Sequence, residues 1–389
     1  MRNKKRKICV IITARPSYSR VKSVMKAIQD HPLLKLQIIT TSSANLKRFG
    51  DVSEIIKNDG FNIDEQIFSL VEGESLVTSA KTTGLAIIEL ATVLDKLKPD
   101  AVITIADRYE TLANAIAATY LNIPLVHLQG GDISGNIDEK VRHAITKLAD
   151  IHFPTCENSK KRLILMGENP QKVFMLGDPA LDIIGDVSLS KKLSFNPLKK
   201  YGGVGNLKIM PKDYYIVMQH STTNDIHNSR RNITETLFAI QQLDRPVFVF
   251  WPNPDAGSDM TSNAIRRFRE KEDTSNMHFF KNMLPADFLE LLYHCQCLIG
   301  NSSVGIRECA CLGVPVVNIG DRQANRDRGC NVIDVGYNRL EILNAIKTWE
   351  KRGRPMSTIQ DGHFNAGEKI ADTLATVDLS YTKRLCYEI

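Results

Sequence analysis

Three motifs are missing from this chain, and each absence removes a class of enzyme. No G-x-x-x-x-G-K-[ST] loop occurs, which excludes a P-loop nucleotide hydrolase. The turn after the first predicted strand is not G-x-G-x-x-G, which argues against a nicotinamide cofactor. No G-x-S-x-G elbow is present, and the Ser, His and Asp content does not suggest a hydrolase triad. Among eight cysteines there is no C-x-x-C pair, and the two C-x-C pairs, Cys295 with Cys297 and Cys309 with Cys311, lack partners at zinc-ribbon spacing. The cysteines read as buried free thiols of a reducing compartment. Charge of one sign is also scarce: 50 Lys and Arg against 44 Asp and Glu leave +6 over 389 residues. No basic stripe interleaved with aromatics occurs, so nucleic acid is not an expected partner, whereas an anionic small molecule fits the mild basic excess. The apolar run Ile8 to Ile12 is too short for a signal-peptide core or a membrane span. The expectation is a cytoplasmic protein without membrane partners, its basic start (Met1 to Lys7) a solvated tail.

What is present is a rhythm. Lys7 to Thr13, Leu36 to Thr40, Ala101 to Ile105 and Leu125 to Leu128 read as strands. Between and after them, helices are expected over Ser19 to Gln29, Val77 to Leu97, Tyr109 to Leu121 and from about Ile137. A stretch rich in Lys, Gly, Ser and Pro, residues 186–212, breaks the pattern and reads as a linker region. Strands are then expected over Tyr214 to Met218, Val247 to Trp251, His278 to Phe280, Cys297 to Ile299 and Val314 to Ile319. Helices are expected over Arg231 to Leu243, Ile265 to Lys271, Pro285 to His294 and Val304 to Leu312. Alternating strands and helices imply parallel sheets covered on both faces. Two similar α/β domains result, 1–185 and 213–363, with the cleft between them the default site.

Polar groups gather where the strands end. Arg15 and Ser19 follow the first strand, where a helix N-terminus suits phosphate; Ser19 reads equally well as a simple cap. Asp107 and Arg108 follow Ile105. The strand ending at Leu128 runs into Gln129, Gly130, Gly131 and Asp132. Asn136 and Glu139 resemble a capping box for the next helix, with Ile137, Val141, Ala144 and Leu148 as its core stripe. Asp138 and Arg142, four apart, share another face. In the second half, His220, the stretch Trp251 to Gly257, Ser302, Ser303, Glu308 and Arg322 outline a nucleotide-diphosphate pocket, Glu308 about one and a half turns into its helix.

Together "GGDISGNIDEKVRHAITK", "QHSTTND", "PNPDAGS", "GNSSVGIRE" and Asp107-Arg108 resemble the UDP-N-acetylglucosamine 2-epimerase family, over Arg15 to about Arg328. The likeness is to the hydrolysing branch, which supplies sugars for sialic and legionaminic acid synthesis. The non-hydrolysing branch usually carries H-x-E-A-G-L-R where this chain has "HLQGGDIS". The resemblance implies a GT-B fold of two Rossmann-like doubly wound domains, with no metal and no nicotinamide. It implies a tail, residues 364–389, crossing back to the first domain, and a homodimer or homotetramer. It implies loss of the C2 proton, elimination of UDP to a 2-acetamidoglucal, and addition of water. Asp107 and Asp138 would be the acid–base pair, with Arg142 orienting or charging the site. Arg15, Ser19, Arg108, His220, Ser302, Ser303 and Arg322 would hold the phosphates, and Asn253 and Glu308 the nucleoside. Many relatives have Glu where this chain has Gln129. Either Asp107 and Asp138 do the proton transfers, or Asp132 substitutes, or the substrate differs. Non-hydrolysing epimerisation and glycosyl transfer are the alternatives.

Overall fold

The computed structural model describes residues 5–47, 50–73, 75–105, 108–133, 137–187, 189–190, 192–222, 225–252, 257–357, 364–380 and 383–387. The chain forms two compact units: Met1–Asp132, Ile137–Ile183 and His363–Ile389 in the first, Ile133–Asn136 and Ile184–Gly362 in the second.

In the first unit, β1 (Arg6–Ile12), β2 (Leu34–Thr41), β3 (Glu65–Ile67), β4 (Ala101–Ile105), β5 (Leu125–Leu128) and β6 (Ile151–Phe153) form one sheet ordered β3-β2-β1-β4-β5-β6. Every pairing is parallel. Strand alternation divides β1 between two cores. Ile8, Val10 and Ile12 join the core that holds Tyr18, Val21, Met25 and Ile28 of α1 (Arg15–Asp30). Cys9 and Ile11 join the opposite one. After α2 (Val52–Asn58), α3 (Leu76–Leu97) supplies that second core with Leu90 and Leu94, α4 (Tyr109–Tyr120) with Ala113 and Ala117, and α5 (Ile137–Leu148) with Val141 and Ile145. Among the described residues α3 alone is long and apolar enough to cross a membrane; it buries the stripe Thr82, Ala86, Leu90 and Leu94 and exposes Lys81, Glu89 and Asp95 together with Leu85 and Ile88. β3 and β6, three residues each, are too short to show a period in the sequence. α6 (Glu157–Leu165) and α7 (Asp182–Asp186) follow.

Three local expectations are corrected. α1 starts at Arg15, ahead of Ser19, because Ser17 Oγ accepts the Ala14 N–H at 3.0 Å. α5 turns Val141, Arg142, Ile145 and Thr146 inward, leaving Ala144 and Ile137 exposed, so its buried face is rotated from the expected stripe. The basic start is not simply solvated: Arg6 Nη1 donates to the carbonyls of Leu374 (3.0 Å) and Val377 (2.7 Å), and Lys7 Nζ to that of Leu97 (3.0 Å). These are cations at helix C-termini, where the carbonyls lack partners.

The second unit opens with α8 (Pro197–Tyr201) and β7 (Val204–Gly205), inside the stretch read as a linker. Then come β8 (Tyr215–Met218), α9 (Ser229–Gln241), β9 (Val247–Phe250), α10 (Ser258–Lys271), β10 (Met277–Phe280), α11 (Pro285–His294), β11 (Leu298–Gly300), α12 (Glu308–Leu312), β12 (Val316–Ile319), β13 (Val332–Val335) and α13 (Arg339–Arg352). The sheet runs β13-β12-β11-β8-β9-β10-β7, with only β7 antiparallel, at the edge. Gly203, φ +99°, lets the chain reach that edge, since a Cβ there would stand 2.6 Å from His278 Nε2. Glycines that look like linker punctuation serve this close approach. The helix expected over Val304 to Leu312 is a 3₁₀ turn, Ser303–Gly305, followed by α12, so Glu308 opens its helix.

The end of the chain returns to the first unit. α14 (Ala366–Thr376) places Ile370 and Leu374 in the core beside α1. Asp182 caps it, accepting from Ala366 N–H (3.1 Å) and Gly367 N–H (2.8 Å). Further on, Lys383 Nζ reaches Glu168 Oε2 at 2.6 Å. Glu168, 1% exposed, also takes Lys147 (2.7 Å) and His152 (3.0 Å). Burial alone would raise its pKa, but the hydrogen bonds from His152, Lys147 and Lys383 outweigh burial and hold it at about 2. A folded value below the ordinary carboxylate value means stability that is full above about pH 4.5 and lost as pH falls toward 2. Glu168→Gln is expected to cost roughly 3 kcal/mol near neutrality and to flatten that acid limb, as read by urea unfolding across pH.

Candidate active site

Each sheet has one point where the strand order reverses, and ligands in open α/β sheets bind beyond the carboxyl ends there. In the first sheet the point lies between β1 and β4, in the second between β8 and β11. Most of the polar residues singled out in the sequence sit in loops at these ends or at those of neighbouring strands.

In the first unit, Arg15 opens α1 and Arg108 is the N-cap of α4. Arg108 forks onto Glu110, Nε and Nη2 each 3.1 Å from a carboxylate oxygen, and Glu110 is fully buried. Bidentate pairing fixes the guanidinium plane. Ser19 lies a turn into α1 with Oγ donating to the Pro16 carbonyl at 3.1 Å, so Ser17 rather than Ser19 closes the helix start. Past β5, Gln129 is 1% exposed and left-handed, φ +63°. Its Nε2 donates to Asp178 Oδ1 at 2.9 Å. Gly131, φ +80°, follows; a Cβ there would come 2.3 Å from the Ser159 carbonyl oxygen. The Asp132 side chain accepts from Ser159 Oγ at 2.7 Å, and its carbonyl accepts from Arg142 Nη1 at 2.7 Å. Arg142 is 1% exposed. The loop after β5 is thus tied to α6 through Ser159 and to α5 through Arg142. Asp138 stands half-buried in the first turn of α5, at the positive end of the helix dipole. His143 Nε2 faces Glu139 at 3.4 Å, one turn back on the same helix.

In the second unit the centre is Asn301, which is fully buried. Its Oδ1 accepts the His220 N–H at 2.7 Å and its Nδ2 donates to the His220 carbonyl at 2.8 Å. Its own carbonyl accepts from Arg322 Nη1 (3.2 Å) and Gln323 Nε2 (2.9 Å). Through its carboxamide and its main-chain carbonyl, Asn301 therefore brings together His220, which follows β8, and Arg322, which follows β12. Ser302, the next residue, caps the 3₁₀ turn, accepting the Val304 N–H at 3.4 Å, and Ser303 opens that turn. Arg322, His220, Ser302 and Ser303 lie within the reach of these loops. Such a set of cation, imidazole and hydroxyls matches the needs of a phosphate group.

Asp107, Asn136 and Asn253 lie outside the described residues. Sequence reasoning missed Glu110, Asp178, Ser159, Gln323 and the pivotal role of Asn301. Glu110 and Asn301 stood beside residues already singled out. Asp178 offered no signal, lying 49 positions from its partner. Among the described residues no group of three or more His, Cys, Asp or Glu side chains could hold a metal ion. Four cysteines are buried, and burial pushes the Cys295 thiol up to about 12, but Cys156 and Cys311 are half-buried and Cys330 and Cys386 exposed, so the expectation of buried thiols holds for half of them.

The family described as UDP-N-acetylglucosamine 2-epimerase matches residues 26–375. The chain is 32% identical over 376 residues to the UDP-N,N'-diacetylbacillosamine 2-epimerase (hydrolyzing) of Legionella pneumophila, covering 96% of this chain and 97% of that one. It is 32% identical to the GDP/UDP-N,N'-diacetylbacillosamine 2-epimerase (hydrolyzing) of Campylobacter jejuni, covering 87% and 86%. Among solved structures it is similar to the UDP-GlcNAc 2-epimerase from Neisseria meningitidis bound to UDP-GlcNAc, with TM-score 0.76, 19% identity and 95% and 99% coverage. The fold is therefore the expected α/β class of GT-B type, with two Rossmann-like units.

Asn301→Leu should strand the His220 backbone N–H and carbonyl in a dry site. The expected loss is roughly 2–4 kcal/mol of stability by urea unfolding, with weakened UDP binding by calorimetry.

Proposed function

Because the chain belongs to the UDP-N-acetylglucosamine 2-epimerase family, we propose that it is a hydrolysing enzyme acting on a UDP-linked 2-acetamido sugar, UDP-N-acetylglucosamine or UDP-N,N'-diacetylbacillosamine. The observation that carries the hydrolytic reading is its likeness, nearly end to end, to relatives named as hydrolysing 2-epimerases. The loop after β5 supports it, since carboxylates and a buried arginine converge there around a polar, glycine-tightened turn.

The chemistry has two halves. A base removes the C2 proton while the C1–O bond breaks, its electron pair leaving with UDP, and a C1=C2 glycal results. Water then adds, hydroxyl to C1 and a proton to C2 on the opposite face, releasing the 2-epimeric free sugar. Removing so weak an acid needs a carboxylate held close to C2. Asp138 and Asp107 take the two proton transfers. Arg142 holds the Asp132 carbonyl and so sets the loop in which Gln129 and Asp132 stand. Departure of UDP needs fixed positive charge and N–H donors. Arg15, Arg108, His220, Ser302, Ser303 and Arg322 supply these, and Glu308 and Asn253 take the nucleoside. Gln129 exchanges no proton and serves as a polar contact.

In deuterated water, proton NMR should show free UDP and a manno-configured sugar carrying deuterium at C2. Intact nucleotide sugar with exchange at C2, and no free UDP, would instead mean non-hydrolysing epimerisation. Asp138→Asn should lower kcat by about 10²- to 10⁴-fold with less change in UDP affinity.

A further inference from the structure

Two unfavourable features coincide at Gln129. Its backbone is left-handed, φ +63°, a conformation that is strained for a non-glycine residue. Its side-chain Oε1 is buried and accepts no hydrogen bond among the described residues. An unsatisfied buried acceptor loses its hydrogen bonds to water and gains none in return. The backbone is nonetheless held firmly: Gln129 N–H donates to the Phe153 carbonyl at 3.0 Å, continuing the pairing of β5 with β6. The side chain is held too. Asp178 Oδ1 accepts Gln129 Nε2 at 2.9 Å and the Ala180 N–H at 3.0 Å.

An ionised carboxylate only accepts. Asp178 therefore dictates which amide atom faces it: Nε2 turns toward Asp178 and Oε1 turns away. We infer that Asp178 is a positioning residue that locks the Gln129 carboxamide with Oε1 presented as a neutral acceptor for a hydroxyl or amide N–H of the bound sugar. The inference rests on the nucleotide-sugar reading above. Bound ligand then satisfies the Gln129 oxygen that has no partner among the described residues, and ligand binding offsets part of the cost of building the site. The pair also accounts for Gln at this position. A Glu there would set a second carboxylate against Asp178 at hydrogen-bond distance, and two like charges so close cannot both stay ionised. The charge stands behind the amide, on Asp178, and the contact with the ligand is neutral.

A double-mutant cycle on the full chain tests this, with melting temperature reporting the fold of each variant. Wild-type release of UDP from the two donors is the control on the functional reading itself. Gln129→Glu is expected to lower kcat/KM about a hundredfold by placing carboxylate against carboxylate. Adding Asp178→Asn, whose amide can donate to the introduced carboxylate, should restore about tenfold or more. Asp178→Asn alone should raise KM more than it lowers kcat, because it keeps an acceptor but no longer dictates the amide orientation. Single losses that simply multiply in the double variant would overturn the inference. If Gln129→Glu fails to fold, the cycle is run with Gln129→Ala and Asp178→Ala: a double variant no worse than the poorer single supports the pairing, and multiplying losses overturn it. The ¹⁵N-labelled side-chain amide of Gln129 gives a readout independent of turnover. It should exchange slowly in the wild type and fast in Asp178→Ala; fast exchange in both overturns the pairing, whereas slow exchange without turnover would count against the functional reading alone.

Discussion

A parallel strand must bury both faces, because the crossovers that connect it lie over each side of the sheet. β1 shows the constraint directly, sending Ile8, Val10 and Ile12 into one core and Cys9 and Ile11 into another. With both faces closed to water, the strand ends are where polar chemistry can gather. The carboxyl ends face helix N-termini, whose free N–H groups favour anions. The second unit meets the same constraint with the same order of strands around its reversal point. The placing of Arg15, Arg108, Gln129, His220 and Ser302 follows from it.

Loops at such ends leave the ladder and lose its backbone partners, so side chains substitute for the missing strand. Asn301 does so for His220, meeting both its N–H and its carbonyl. Arg142 does so for the Asp132 carbonyl. Each is buried and hydrogen-bonded to backbone, and each stands next to groups able to meet a ligand. Stability and function are therefore coupled at these two residues: loosening either would unsatisfy a buried backbone group and shift the contacts beside it. Gln129 differs in that, among the described residues, its carboxamide is met on one side only.

The returning C-terminal segment is tied to the first unit by charge as well as packing. Asp182 caps the start of α14 and Arg6 its end. Glu168 gathers Lys147, His152 and Lys383, one of them from the last described stretch. A carboxylate buried among three donors is stable only while all keep their geometry. The ionic cluster thereby makes the docking of the tail a condition for the burial of Glu168.

Local periodicity and strand-end polarity are properties of short windows, and the sequence alone determined what they govern. The α/β class and the two units follow from the alternation of apolar runs and amphipathic stripes, and Pro285–His294 has the expected bounds because proline and a long apolar stripe mark it. The polar strand ends were legible too, since a cluster of Gly, Asp, Ser and His after an apolar run is itself a local signal. The glycine-rich β7 misled because glycine signals a turn and a close approach alike. Tertiary structure alone decided which face of α5 is buried, and hence that Arg142 points inward, because a helix with apolar residues on more than one face can be turned to suit its neighbours. It also decided the pairs Gln129 with Asp178, His220 with Asn301 and Glu168 with Lys383. Their partners are far apart in sequence, and the packing that brings them within 3 Å leaves no mark on the residues between.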